Sequence, residues 1–132
     1  MSDAEIMRFC RAYARMCPSL PIRRSQMAVL SVLCSSPGPH TPAAVAETMG
    51  VSRPMVTAHM SVLCDAGYVV RMASPDDGRS VYMLPTKSGK KLYTDYVNAN
   101  NRIMSELSNK MGAKNFATFV KLVTMANKIL DG

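Results

Sequence analysis

The sequence predicts a mainly α-helical chain with one small β-hairpin (an α+β chain), and three observations lead to this fold class. Apolar residues recur every three or four positions over most of the 132 residues, which is the spacing of amphipathic helices. Two short β-prone runs, 68–72 and 80–84, flank an Asp-Gly pair, which is a strong hairpin signal. Helix caps and Gly or Pro breakers separate the periodic segments. The expected order is four helices, a hairpin and two further helices.

The first two predicted helices end at proline-containing breaks. The first helix covers about 4–17 and is followed by Pro18 and Pro21. The second covers about 25–34 and ends at the breaker cluster 35–39. Both helices carry apolar residues at helical spacing, so each is expected to bury one side.

The third and fourth predicted helices have clear caps. Thr41 suits the N-cap of the third helix, and the proline after it is tolerated at the first helical position. Gly50 closes this helix. Ser52 is the N-cap candidate of the fourth helix, which should end at about residue 65 or 66, with Gly67 as the stop.

Helical patterning resumes after Pro85 and is interrupted only at Gly112. An amphipathic helix must bury its apolar side, and a second copy of the chain is the simplest partner for the terminal helices. We therefore expect one domain over 1–132. It would consist of a compact unit at 25–85 and helical dimerisation regions at 1–18 and 86–132.

The composition favours an anionic partner. The chain has 16 Lys and Arg against 9 Asp and Glu, a formal charge of +7, so a homodimer would carry 2 × 7 = +14. No stretch approaches the length of a membrane span and no secretory signal is evident, so we expect a cytoplasmic protein. The four scattered cysteines form no C-x-x-C pair, which predicts reduced thiols rather than a zinc site.

Residues 43–63 have the spacing of a helix-turn-helix. Ala46 is small enough for two helices to cross closely, Gly50 permits the turn, and Val56 packs the second helix onto the first. This geometry would place the N-terminal residues of the second helix at base edges in the major groove of DNA. Because a β-hairpin follows, the pattern predicts a winged helix-turn-helix.

Further stretches give the sequence its family resemblance. The wing triplet Asp77-Gly78-Arg79 is the most diagnostic of them. The others are Gln26-Met27-Ala28-Val29-Leu30, Ala46-Glu47-Thr48-Met49-Gly50-Val51-Ser52-Arg53, Val56-Thr57, Leu63, Gly67-Tyr68-Val69 and Thr86-Lys87-Ser88-Gly89. Over about 20–92 the chain resembles the MarR family of winged helix-turn-helix transcriptional regulators. The resemblance implies a homodimeric regulator, usually a repressor, that binds a pseudo-palindromic site on double-stranded DNA.

The resemblance also implies roles for matching positions. Arg79, at the wing tip, would insert into the minor groove, where a narrow A·T-rich groove favours a guanidinium. Asp77 would support the wing without touching DNA. The start of the fourth helix would face the major groove or its phosphates with four residues: Ser52, Arg53, Met55 and Thr57.

The chain departs from the family pattern at three positions. Ala58 stands where a basic or polar residue often follows the Val-Thr pair, so one base reader is missing. Specificity then depends on Arg53, Thr57, thymine-methyl contacts or DNA shape. His59 replaces an apolar residue, and Gly78 replaces a basic one, which removes a phosphate contact. These departures concern the identity of the DNA site more than DNA binding itself.

Basic residues outside the helix-turn-helix are candidates for phosphate contacts. They precede the second helix or begin the fifth: Arg23, Arg24, Lys87, Lys90 and Lys91. Each is equally an ordinary surface charge, and the sequence leaves both interpretations open.

Four side chains are candidates for an effector pocket between the winged unit and the dimerisation helices: Tyr13, His59, Tyr93 and Tyr96. The resemblance implies such a pocket, often for aromatic acids or phenols. The tyrosines also suit a core or a dimer interface. His59 is expected to be an interior histidine with its hydrogen bonds made, the alternative being a pH-sensitive or ligand-binding group.

Cys10 and Cys17 are seven residues apart and share one face of the first helix. Apolar packing is the simpler interpretation. The alternative is a redox switch, which the family resemblance allows and which requires an exposed thiol of lowered pKa.

Other classes of function leave different signatures. A winged-helix protein-interaction module would share the fold without binding DNA. A metal-sensing repressor of the ArsR type would need clustered Cys and His, and these residues are dispersed. The sequence offers no Ser-His-Asp order, no phosphate-cradling glycine loop and no plausible carboxylate pair. We therefore expect no enzymatic activity, no cofactor and no bound metal.

Overall fold

The structure, a computed structural model, describes residues 3–74 and 79–132. In these residues the predicted order is confirmed. The elements are α1 (Asp3–Met16), α2 (Arg24–Ser35), α3 (Pro42–Met49), α4 (Arg53–Asp65), β1 (Val69–Ala73), β2 (Val81–Pro85), α5 (Lys87–Met111) and α6 (Ala113–Asp131). The chain divides into two compact units, Ser19–Tyr96 and Met1–Pro18 with Val97–Gly132, and α5 contributes residues to each.

The first unit, the winged-helix unit, has a continuous aliphatic core from α2, α3, α4 and the hairpin. Tyr93 and Tyr96 of α5 pack on its edge, partly buried. Apolar residues spaced three and four apart put one side of each helix into this core. The buried members are Met27, Val29, Leu30, Leu33, Val45, Ala46, Val56, Met60, Leu63, Val69 and Met83.

Local chemistry sets the helix ends as the sequence predicts. The Thr41 hydroxyl accepts the backbone N–H of Ala44 at 3.1 Å and caps α3. Gly50, at φ 68°, ends this helix in the left-handed conformation that glycine adopts without steric cost. With the backbone N–H of Val51 donating to the carbonyl of Ala46 at 3.1 Å, the turn into α4 is a Schellman motif.

The wing is a two-stranded antiparallel hairpin in which Val69 pairs with Pro85 and Arg71 pairs with Met83. Both strands begin one residue later than predicted. For β1 the reason is that the backbone N–H of Tyr68 donates to the carbonyl of Leu63 at 2.9 Å and so completes the C-cap of α4. The predicted Asp-Gly turn lies outside the described residues.

The second unit, the terminal-helix unit, contains α1, α6 and the later part of α5. The Tyr13 hydroxyl donates to Asn100 Oδ1 at 3.1 Å, and the rings of Phe9 and Phe119 meet edge to face with centroids 5.7 Å apart. No residue of α1 or α6 is buried. Among the described residues, no helix is long and apolar enough to cross a membrane.

Candidate nucleic-acid interface

Helix α4 is held on one side and exposed on the other. Val56, Met60 and Leu63 are at most 1% exposed and anchor it in the core. The Ser52 hydroxyl caps the helix by accepting the backbone N–H of Met55 at 3.3 Å. All four predicted major-groove residues, 52, 53, 55 and 57, are exposed at its first turns. The structure thus brings them together at one helix N-terminus, where backbone N–H groups also favour a phosphate.

A hydrogen bond that the sequence did not reveal connects α4 to the wing. Arg71 Nη2 on β1 donates to Ser61 Oγ on α4 at 3.2 Å. Arg71 is exposed, so its guanidinium keeps further donors for an anion nearby. The sequence did hold a signal for this contact. Side chains alternate along a strand, so Arg71 lies on the same face of β1 as Val69, and that face packs towards α4.

Residues 74 and 80 flank the predicted tip of the wing, and both belong to the described part of the chain. Ser74 is buried, and its backbone N–H donates to the carbonyl of Ser80 at 2.9 Å, which continues the pairing beyond the strands. Arg79 is exposed beside this closure. The predicted wing-support residue Asp77 and its neighbour Gly78 lie outside the described residues.

The predicted phosphate contacts lie at two helix N-termini of the winged-helix unit. Arg23 and Arg24 are exposed at the start of α2, and Lys87 and Lys90 at the start of α5. Lys91 is engaged with Asp95 at 2.9 Å, and this hydrogen bond raises the pKa of Lys91 above its ordinary value. Its charge is therefore shared with a carboxylate four residues away, which weakens its case as a phosphate contact.

The expectation of a satisfied interior histidine at position 59 is wrong. His59 is half-buried, and its Nε2 is buried without a hydrogen-bond partner among residues 3–74 and 79–132.

Of the predicted effector-pocket residues, Tyr13 borders a cavity of 310 Å³ in the terminal-helix unit. The lining is apolar apart from hydroxyl groups: Phe9, Tyr13, Met104, Phe119, Val120, Val123 and Thr124. Tyr93 and Tyr96 belong to the winged-helix unit, as does His59, and none of the three lines this cavity.

The four cysteines are free thiols with different surroundings. Cys10 is exposed, while the Cys17 thiol is half-buried and donates to Asn100 Oδ1 at 4.0 Å. Burial raises the pKa of the Cys34 thiol, and the nearby Lys90 charge only partly offsets this. Among the residues described, no three His, Cys, Asp or Glu side chains gather in a group that could hold a metal ion.

The capped α3–α4 pair with its β-hairpin defines the class as a winged helix-turn-helix protein. Residues 20–80 match the model of the MarR family. An HTH-type transcriptional regulator from Mycobacterium tuberculosis is 36% identical over 87 residues, which cover 66% of this chain and 60% of that relative. The resemblance to the MarR family is thereby confirmed for residues 20–80.

Solved structures agree with this fold. Streptococcus pneumoniae FabT, crystallised in complex with DNA, matches with a TM-score of 0.75 and 23% identity over 84% of this chain and 77% of FabT. The reduced form of MarR from E. coli matches with a TM-score of 0.73 and 21% identity over 96% of both chains. At these identities the likeness establishes the fold, six helices and a two-stranded wing in the described residues, and not the ligand or the DNA site.

Proposed function

We propose that this protein is a homodimeric transcriptional regulator that binds a specific pseudo-palindromic site on double-stranded DNA. One observation carries the proposal. Within a MarR-family segment, the capped N-terminus of α4 is exposed with Ser52, Arg53, Met55 and Thr57, while three buried residues fix its opposite side. FabT, which shares the fold, was solved in complex with DNA, and this supports the same use of α4 here.

On DNA, two copies of α4 enter successive major grooves about one helical turn apart. The α4 N-terminus and Arg53 hold a phosphate or a base edge. The bond from Arg71 to Ser61 sets the wing relative to α4, and Arg79 then enters the adjacent minor groove. The charge of +7 for each chain supports association with the phosphate backbone.

Dimerisation is supported by the apolar residues left uncovered in the terminal-helix unit. Hydrophobic side chains that are 41–83% exposed on α1 and α6 would otherwise face water. They are Ile6, Met7, Phe9, Met16, Val120, Leu122, Val123, Met125, Ile129 and Leu130. A second copy of the same helices covers them without any other partner.

Regulation by a small aromatic molecule is the form of control that the cavity at Tyr13 supports. Aromatic and aliphatic walls bury a ring, and the Tyr13 hydroxyl provides a polar contact. A ligand that binds better to one spacing of the two winged units shifts the population away from the DNA-competent form. We therefore propose repression that is relieved by the effector.

Selection from a random duplex library, followed by a salt titration on the enriched site, tests the function. We expect an inverted repeat with half-sites about one turn apart and an affinity that falls steeply with salt. A chain that enriches no sequence and binds duplexes only weakly at low salt is a protein-interaction module instead. Tight metal binding by the reduced protein would favour an ArsR-like sensor.

A further inference from the structure

The exposed side of α4 carries unusual chemistry for a helix that contacts bases. Its sequence from Arg53 to Asp65 contains no Asn and no Gln, the side chains that pair with adenine through two hydrogen bonds. Its one carboxylate, Asp65, is the last residue. Arg53 is its only side chain able to form a bidentate bond with guanine.

Apolar groups take the place of these hydrogen-bonding residues. Met55, Ala58 and Val62 are spaced three and four apart, so they lie along one side of α4. Met55 is 45% exposed and Val62 is 42% exposed, because the anchor residues occupy a different side of the helix. Of the two polar side chains in the second turn, Thr57 is exposed at a different angle around the helix, and the Nε2 atom of His59 is buried. The middle of α4 therefore presents the apolar stripe alongside Thr57.

The surroundings of the stripe favour DNA as its partner. At the stripe's N-terminal end lie Arg53 and the capped helix terminus, and on the neighbouring strand Arg71 reaches Ser61 of the same helix. A cationic, donor-rich rim around a small apolar surface complements phosphates on either side of a groove, whereas an apolar protein partner would need no such rim. In the major groove, the apolar feature that distinguishes one base pair from another is the C5-methyl group of thymine.

We propose that Met55, supported by Ala58, recognises thymine by contact with its C5-methyl group. Each half-site then contains a thymine close to the base or phosphate that Arg53 binds. This inference rests on the proposed function and specifies the class of site. Met55 suits the role because a flexible thioether adapts its shape to a methyl group. Ala58, one turn on, is short enough to let the groove floor approach the helix.

Replacing thymine by deoxyuridine removes the methyl group and leaves every hydrogen bond of the base pair unchanged. In the selected site, each thymine is replaced in turn, and the Kd of the wild-type chain is measured by fluorescence anisotropy at two salt concentrations. We expect a loss of about fourfold for the thymine that Met55 contacts, the effect of uncovering one methyl group. The ratio should be the same at both salt concentrations, because a methyl contact releases no counterions.

Three variants assign this penalty to a side chain. Met55→Ala should abolish the deoxyuridine penalty, and Met55→Gln, of similar size, should replace the preference for thymine by one for adenine in a repeated selection. Val62→Ala is the matched control, since it trims an equally exposed side chain about 10 Å farther along the helix and should retain the penalty. Thermal unfolding of each variant checks that the fold is intact.

Specific binding that tolerates deoxyuridine at every thymine would overturn the inference while leaving the proposed function standing. A penalty that persists in both Met55 variants would overturn it as well. A chain without sequence preference for any duplex contradicts the proposed function itself, and the inference with it.

Discussion

Gly89 lies directly against the backbone carbonyl of Tyr68, so closely that a Cβ at this position would overlap the carbonyl oxygen. The approach is fixed by Thr86, whose hydroxyl donates to the carbonyl of Gly67 at 2.7 Å and accepts the backbone N–H of Gly89 at 3.1 Å. The backbone N–H of Thr86 also donates to the Tyr68 carbonyl at 3.0 Å. The start of α5 is thereby joined to the end of α4 and the first wing strand.

Gly89→Ala should destabilise the winged-helix unit. Alanine favours a helix interior by about 1 kcal/mol over glycine, but overpacking against a fixed backbone costs about 1–3 kcal/mol and wins where the neighbour cannot move. We expect the free energy of unfolding in urea to fall by about 1 kcal/mol, the middle of the range that remains after the gain is subtracted from the cost. Ser88→Ala, at the exposed neighbouring position, is the control and should change stability little. A Gly89→Ala chain as stable as the wild type would mean that the Tyr68 carbonyl has room to shift.

Local signals made most of the winged-helix unit predictable. Thr41, Ser52, Gly50 and Gly67 define helix ends through bonds to residues at most five positions away, and such bonds follow from the sequence itself. The same holds for the stretch 86–89, whose threonine and glycine have the spacing that the α5 cap requires.

Contacts that depend on tertiary packing could not be predicted from the sequence. The bond between Arg71 and Ser61 joins a strand to a helix and requires the placement of β1 against α4, whereas the sequence predicted only the strand bounds, one residue too early. The burial of the His59 Nε2 atom, which has no hydrogen-bond partner in the described part of the chain, depends on which groups surround it, and no pattern along the sequence encodes that. The wall of the cavity around Tyr13 comes from three helices, so only Tyr13 of its lining was identified.

Arg79→Ala should weaken binding to the selected site about tenfold and remove the preference for A·T pairs beside each half-site. The reason is that a guanidinium in a narrow minor groove recognises the enhanced negative potential of A·T tracts. Competition between sites with A·T and G·C flanks measures the preference, and anisotropy measures the affinity. Arg79→Lys keeps the charge and should keep part of the affinity. Equal affinity and equal flank preference in wild type and Arg79→Ala would remove Arg79 from the interface.

Alkylation of the native protein should distinguish Cys10 from Cys34. Cys10 is exposed, whereas burial raises the pKa of Cys34 and so lowers its thiolate fraction at any pH below that pKa. At neutral pH, peptide mapping after brief iodoacetamide treatment should find Cys10 modified first. The rate at Cys34 should begin to rise only at a pH above that of an ordinary thiol. Faster modification of Cys34 than of Cys10 at neutral pH would contradict this assignment.

The dimer proposal depends on an uncovered stripe along α6. Leu122, Met125 and Ile129 are spaced three and four apart and are 55%, 51% and 76% exposed, while the cavity at Tyr13 uses Phe119 and Val123 at other angles around the helix. A charge placed in the middle of such a stripe would be desolvated in a dimer without a partner, which is costly. Met125→Glu should therefore give a monomer by light scattering and lose cooperative binding to the inverted repeat.

The same carboxylate introduced on the opposite side of α6 separates burial from net charge. Asn127→Glu changes the total charge by the same amount as Met125→Glu, and Asn127 lies about half a turn from the stripe, exposed on α6. It should remain dimeric, with affinity for DNA lowered only through long-range electrostatics that added salt suppresses. If Met125→Glu stays dimeric as well, the α6 stripe is not the contact between copies, and the exposed apolar side chains of α1 become the surface to test.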